Sequence, residues 1–425
     1  MTGELCIPNL ELDIDSPEFH AKRGINEVMH ICFVNMPIEY YSPVSGGAIS
    51  TIVMSTARAL RERGHRVSVL TIVNGDPVYR VGEVIPVEAK MRETLNFFQR
   101  RVSSLQRRLG RWDWPYFEYY MRSVKRELAR LSPAPDAVVM FNDFVLPAHV
   151  RGVLPRAKVV VWLQNEWRTH FPMEKTIAST DRFLTCSEYI RRWTAQVHGI
   201  PLDRIVAAPS GVDADSFTPR PGYLEARTPL KVLFLGRIDR NKGPDIAADA
   251  VAALRAEGLP VTLTVAGGLW FYGHGNEMRD PFFRELKSKM DAAGAEYIGH
   301  VPRTLVPELV RQHDVACVLS RSNEPFGLVT LESMAGGCAV ISSNRGGLPE
   351  ACGGAATLVN PDDLPGVTFA LRRFVTNAEF LRESKELARE RAVQASWAAC
   401  AATVENAIGA RVGADAGRVL EGELI

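Results

Sequence analysis

Apolar runs and helical patterns alternate along most of the chain. His30-Ile31-Cys32-Phe33-Val34 is uninterrupted and predicts a strand; a loop from Ser42 to Ser50 follows, then a helix with Ile52, Thr56, Ala59 and Leu60 on one face. Gly64 ends that helix, and Val67–Leu70 is the next strand. The runs Asp136–Phe141, Lys158–Leu163, Phe183–Ser187 and Ile205–Pro209 continue the series. They are continuous rather than alternating, as strands covered on both faces by helices should be. A second series comprises Lys231–Leu235, Val261–Ala266, Glu296–Ile298, Val315–Leu319 and Cys338–Ile341. Its helices start near Pro244, around Phe282, and through Thr368–Ala407. Ser210 to Leu230 is rich in Pro, Gly, Asp and Ser, as an interdomain linker should be. The expectation is an α/β protein of two Rossmann-like, doubly wound domains, residues 28–209 and 231–395, joined by 210–230. Residues 1–27 read as an extension and 396–425 as a last helix and tail.

Bulk properties narrow this only a little. A chain of 425 residues is too long for one ordinary core. A net charge of +1 argues against a dedicated nucleic-acid binder. The cysteines, at 6, 32, 186, 317, 338, 352 and 400, form no Cys-x-x-Cys pair and read as reduced thiols of the cytoplasm. Residues 1–19 are polar and acidic, unlike a secretory signal, and no apolar run approaches membrane-spanning length. Asp13-x-Asp15 has no strand to deliver it as a metal site and reads as solvated. The stretch from Lys90 to Arg130 carries Leu95, Phe98, Val102, Leu105 and Leu109 at helical spacing among crowded arginines. Aromatic residues from Trp112 to Tyr120 follow. A solvated insertion packed over the first domain is the favoured reading; peripheral contact with anionic lipid is the other.

The candidate chemistry concentrates in Arg321–Gly337. Glu324 and Glu332 stand eight residues apart with Pro325-Phe326-Gly327 between them. Leu328, Leu331 and Ala335 give the following helix an apolar face, so Glu324 lies in the loop and Glu332 in the second turn. The amides of Gly327, Leu328 and Val329 at this helix start would favour an anion such as a phosphate, with the glutamates accepting from hydroxyls around it. Upstream, Gly236-Arg237 and Lys242-Gly243 bracket a loop at the end of a strand, offering a planar fork and a point charge to a diphosphate. The dinucleotide fingerprint Gly-x-Gly-x-x-Gly is absent from the first βαβ unit, and hydrolase motifs (Gly-x-Ser-x-Gly, His-Glu-x-x-His) are absent throughout.

With the double glutamate, the Pro-Phe-Gly insert and the Arg237…Lys242 loop, the chain resembles the retaining family-4 glycosyltransferases (glycosyl transferases group 1) of GT-B fold. The match is specific from about Lys231 to Asp362 and weaker from His30 to Pro209. The resemblance implies two domains facing a central cleft, with the last helices crossing back to the first domain. It implies a hexose moved from a UDP- or GDP-linked donor to a hydroxyl of a carbohydrate or lipid-linked acceptor. Arg237, Lys242 and Glu324 would be catalytic, with Asn165 positioning where many relatives carry a histidine. Gly46, Gly47, Gly236, Gly267, Val301, Pro325, Phe326, Gly327, Leu328, Val329 and Glu332 would surround the donor, Glu332 at the ribose. No metal and no further cofactor are expected, since cations and amides suffice for the leaving diphosphate. A glycan of a bacterial envelope is the default acceptor and a small natural product the alternative. An epimerase of the same architecture and a non-catalytic scaffold are further alternatives. The expected location is the cytoplasm, with the inner face of the membrane as the alternative.

Overall fold

The apolar runs become strands buried on both faces. The structure, a computed structural model, describes residues 28–37, 39–44, 47–89, 101, 114–168, 173–269 and 277–409. The extension 1–27, Gly46 and the tail 410–425 lie outside them. So does the basic stretch 90–113 except Arg101.

The first domain runs β1 (His30–Val34), α1 (Ala48–Glu62), β2 (Arg66–Thr71), β3 (Glu83–Pro86), α2 (Trp114–Arg130) and β4 (Ala137–Phe141). It continues through α3 (Leu146–Val153), β5 (Lys158–Leu163), α4 (Glu174–Ser179), β6 (Arg182–Thr185), α5 (Glu188–His198) and β7 (Ile205–Ala207). The second domain runs β8 (Leu230–Leu235), α6 (Pro244–Ala256), β9 (Val261–Ala266), α7 (Pro281–Ala293), β10 (Glu296–Gly299), α8 (Val306–Arg311) and β11 (Val315–Val318). Then come α9 (Leu328–Ala335), β12 (Ala339–Ser343), α10 (Leu348–Cys352), β13 (Thr357–Val359), α11 (Leu364–Thr376), α12 (Ala378–Gln394) and α13 (Trp397–Gly409).

Both sheets are parallel, in the orders β3-β2-β1-β4-β5-β6-β7 and β10-β9-β8-β11-β12-β13. In each, the chain leaves the first strand in one direction and later returns to its other side. Such reversal points, β1/β4 and β8/β11, open a crevice at the carboxyl ends of the strands, where ligands of doubly wound sheets bind. The loops after β8 and β11 therefore converge by topology and carry Lys242 and Glu324, while the loop after β1, at the other sheet's reversal point, carries Gly47.

Two strands depart from the sequence expectation. β3 and β13 are short sheet edges whose residues are only half-covered, so they lack the continuous apolar run that marks the inner strands. Pro86 at the end of β3 is tolerated there because an edge leaves one side of the strand unpaired.

α13 returns to the first domain. Cys400, Ala401, Val404 and Ile408 share a core with Ile49, Ile52, Val53 and Leu60 of α1. Where the chain crosses between domains, Val212 N–H donates to the Ala395 carbonyl at 2.8 Å. In α2, Tyr120, Met121, Val124 and Leu128 are buried in the first domain, and the Tyr120 hydroxyl donates to the Asn35 carbonyl at 2.5 Å. That half of the expected insertion is packed. Among the described residues, no helix is long and apolar enough to cross a membrane.

Candidate functional site

The loop after β8 is shaped to press against the end of β11. Asp239 Oδ1 accepts the Asn241 N–H at 2.8 Å and the Asp239 carbonyl takes Lys242 N–H at 2.9 Å, winding one tight turn. Gly243 follows in the left-handed region (φ 73°), and a Cβ there would stand 2.1 Å from the Leu319 carbonyl oxygen. Only glycine allows that approach. Arg321 fastens the block from the other side. Its guanidinium forks onto Asp245 at 2.7 and 2.8 Å, and its N–H donates to the Asn241 carbonyl at 2.7 Å.

This brings Lys242 Nζ to 2.5 Å from Glu324 Oε1, and Ser320 Oγ donates to the same oxygen at 2.6 Å. Glu324 is 7% exposed, so its charge is met by a cation and a hydroxyl instead of water. Arg237, at the strand's exit, keeps about 41% of its side chain exposed, with Asp239 Oδ2 3.6 Å away. Gly236 and Gly267 sit where the ends of β8, β9 and β10 abut. Gly236 N–H donates to the Ala266 carbonyl at 3.0 Å and Gly267 N–H to the Gly299 carbonyl at 2.7 Å.

After Glu324 the chain turns through Pro325 and the buried Phe326 to Gly327 (φ 94°), where α9 opens without a side-chain cap. Thr330 N–H is taken by the Gly327 carbonyl at 3.0 Å. Leu328 and Val329 form the helix's first turn, where amides lack intrahelical acceptors. Glu332 lies one turn on, 4% exposed, and ion-pairs with Arg303. Burial pulls the Arg303 pKa down, and the Glu332 carboxylate more than offsets it, for a net rise. The Arg303 guanidinium also lies 5.7 Å from the Phe217 ring centroid. Arg303 was not foreseen from sequence, although it stands two residues past the half-buried Val301 on the loop expected to frame the base.

A cavity of about 1030 Å³ lies between the domains, walled by Thr51, Arg58, Tyr79, Asp213, Arg303 and Glu332 among others. Of the sequence-predicted site residues among those described it touches only Glu332; the Lys242–Glu324–Ser320 cluster lies outside its wall. Across the cleft, Gly47 is the N-cap of α1 and has no cap of its own. The Glu39 carboxylate fills that role, accepting Ser50 N–H at 3.1 Å and lying 2.7 Å from where a Gly47 Cβ would be. Burial pushes the Glu39 pKa up. A carboxylate thus stands where the sequence reading expects Gly47 to border a diphosphate. Asn165 is exposed at the exit of β5, and its side chain makes no hydrogen bond among the described residues. Its neighbour Glu166 reaches the other domain instead: Asn323 Nδ2 donates to Glu166 Oε1 at 3.4 Å.

Comparison with known proteins agrees across both halves. Residues 46–216 match the family described as Glycosyltransferase Family 4, and residues 217–391 match Glycosyl transferases group 1. The D-inositol 3-phosphate glycosyltransferase of Paenarthrobacter aurescens is 32% identical over 350 residues, covering 74% of this chain and 80% of that protein. The glycogen synthase of Mycobacterium tuberculosis is 29% identical over 222 residues, covering 51% of this chain and 50% of that protein. The chain thus spans about half the length of that relative. HepE of Anabaena, solved with UDP-glucose, superposes with a TM-score of 0.66 at 16% identity, covering 89% of this chain and 98% of that one.

Proposed function

The chain belongs to the family-4 glycosyltransferases of GT-B architecture, and on that premise we propose that it moves a hexose from a nucleotide-diphosphate sugar to a hydroxyl acceptor. The transfer retains anomeric configuration and needs no metal ion. The observation that carries the reading is the Lys242–Glu324–Ser320 cluster at the reversal point of the second sheet, beside the uncapped start of α9. Breaking the bond from the anomeric carbon to the diphosphate loads negative charge onto the leaving oxygens. Arg237, Lys242 and the first amides of α9 supply fixed positive potential for that charge. Glu324, held in place by Lys242 and Ser320, accepts hydrogen bonds from the donor hexose. Glu332, oriented by Arg303, takes the ribose hydroxyls. Neither is free to act as a covalent nucleophile opposite an acid, as a double-displacement glycosidase would require.

UDP-glucose is the first donor to try, because HepE was solved with it. A bacterial envelope glycan is the proposed acceptor. The relatives named D-inositol 3-phosphate glycosyltransferases favour a second reading, a small cyclic polyol. The deciding experiment incubates the protein with UDP- and GDP-hexoses, with and without glycan and polyol acceptors. It follows nucleotide release and the anomeric configuration of the product. Acceptor-dependent release with retention is expected; conversion of the donor sugar without any acceptor would point to an epimerase instead.

A further inference from the structure

Among the described residues Glu324 hydrogen-bonds within its own domain, to Lys242, Ser320 and Gly347, yet the residues on either side of it reach across the cleft. Asn323 donates to Glu166, which also accepts the Tyr189 hydroxyl. On the other side, the Pro325 carbonyl accepts the Ser187 hydroxyl at 2.6 Å. Ser187 is the N-cap of α5, and its Oγ accepts Ile190 N–H at 3.1 Å. The two preceding free amides of α5 are completed by the second domain: Glu188 N–H and Tyr189 N–H donate to Glu350 Oε2 and Oε1, each at 2.6 Å. A carboxylate at a helix start gains both hydrogen bonds and the helix dipole.

Glu350 comes from α10, whose approach also grips the Glu324 backbone. Gly347 N–H donates to the Glu324 carbonyl at 2.7 Å. A Cβ on Gly347 would lie 2.2 Å from the Pro325 carbonyl oxygen and 3.0 Å from Ser187 Oγ. No side chain fits between the Pro325 carbonyl and the Ser187 hydroxyl.

We propose that Ser187 and Glu350 form an interdomain latch that sets the position of Glu324, so that the sugar-contacting carboxylate is placed only when the two domains are closed. Both are positioning residues: they act on the Glu324 loop through its backbone and through the seating of α5. The inference rests on the proposed transfer reaction for its kinetic consequence but not for its structural one. Nucleotide binding uses Arg237, Lys242 and α9, which belong to the second domain alone, so it is independent of the latch.

The test uses Ser187→Ala, Glu350→Gln and Ser187→Thr in the full chain. Displacement of a reacting group by about 1 Å costs on the order of a hundredfold. Ser187→Ala and Glu350→Gln should therefore lower kcat by roughly tenfold to a hundredfold, with the dissociation constant for the nucleotide diphosphate within about twofold of wild type. Ser187→Thr, which keeps the hydroxyl, should restore most of kcat. Without substrate, small-angle scattering should show a larger radius of gyration for Glu350→Gln than for wild type. Wild-type kcat in both variants would overturn the latch, as would an equal loss of kcat and nucleotide affinity. An unchanged radius of gyration would overturn it independently of any reaction. Absence of nucleotide binding by the wild type would instead count against the transferase reading.

Discussion

Replacing Lys242 by Met separates the two roles its ammonium plays. In the folded protein it neutralises Glu324 at 2.5 Å, with 30% of the lysine side chain and 9% of the glutamate side chain exposed. Removing one partner from a fully buried pair costs roughly 3–5 kcal/mol. Lys242 remains partly hydrated and Ser320 still donates to Glu324, so the stability loss here is about 2 kcal/mol. For domains of this size that is a fall in Tm of roughly 4–8 °C. A protein of ordinary stability, about 5–15 kcal/mol, still stays more than about 99% folded at 25 °C after such a loss. Unfolding therefore removes almost no activity at that temperature. A donor aimed at charge developing in the transition state is worth about 2.7–4 kcal/mol, or 10²–10³ in kcat. Lys242→Met should show the modest Tm shift and the large kcat loss together, read by thermal melting and by initial rates at saturating donor. A variant with the shifted Tm but kcat within about threefold of wild type would refute the assignment, because the lysine would then serve the fold alone.

Removing divalent ions with EDTA should leave initial rates unchanged; loss of most activity, restored by manganese, would show that the cations and amides do not suffice. Arg303→Leu should weaken donor binding by about 1.5–3 kcal/mol, roughly ten- to a hundredfold in KM, because Glu332 loses the group that orients it. An unchanged KM would place Glu332 away from the donor. Asp314 supplies a pH-dependent prediction. Burial alone would raise its pKa, but Lys385 at 2.8 Å and Arg227 at 3.1 Å outweigh that and hold it below the usual carboxylate range. With the folded value lower than the unfolded, the pair's stabilisation is complete above about pH 4 and is lost as pH falls through the folded value. Asp314→Asn should lower Tm at pH 7 by roughly 6–20 °C, with the gap to wild type narrowing as pH falls below the unfolded value of about 4. A gap independent of pH would mean that the carboxylate's charge is not what stabilises.

The inner strands were legible because burial on both faces leaves a continuous apolar run, and β1 and β5 begin and end where that run does. The edges β3 and β13 were not, because half-covered strands have no such signature. The chemistry divides in the same way. Lys242 and Glu324 were singled out by local context, yet nothing local says that residues 82 apart share a hydrogen bond. Gly243 and the reversal of strand order bring them together. Long-range partners were illegible for the same reason: Arg303 on Glu332 and Glu350 on the start of α5 each join segments separated in sequence. Asn165 is a different case. Its position in sequence suggested a role, while the fold leaves it exposed and gives the cross-domain contact to Glu166.

On the proposed reaction, the crevice at the end of β8 and the start of α9 holds a nucleotide diphosphate. Calorimetric titration of wild type and Arg237→Ala with UDP, GDP and their monophosphates, in EDTA, tests it most directly. At least one diphosphate should bind the wild type more tightly than its monophosphate, and Arg237→Ala should lose that difference while remaining folded by circular dichroism. Equal affinity for mono- and diphosphates, or an Arg237→Ala variant that binds as wild type does, would contradict it.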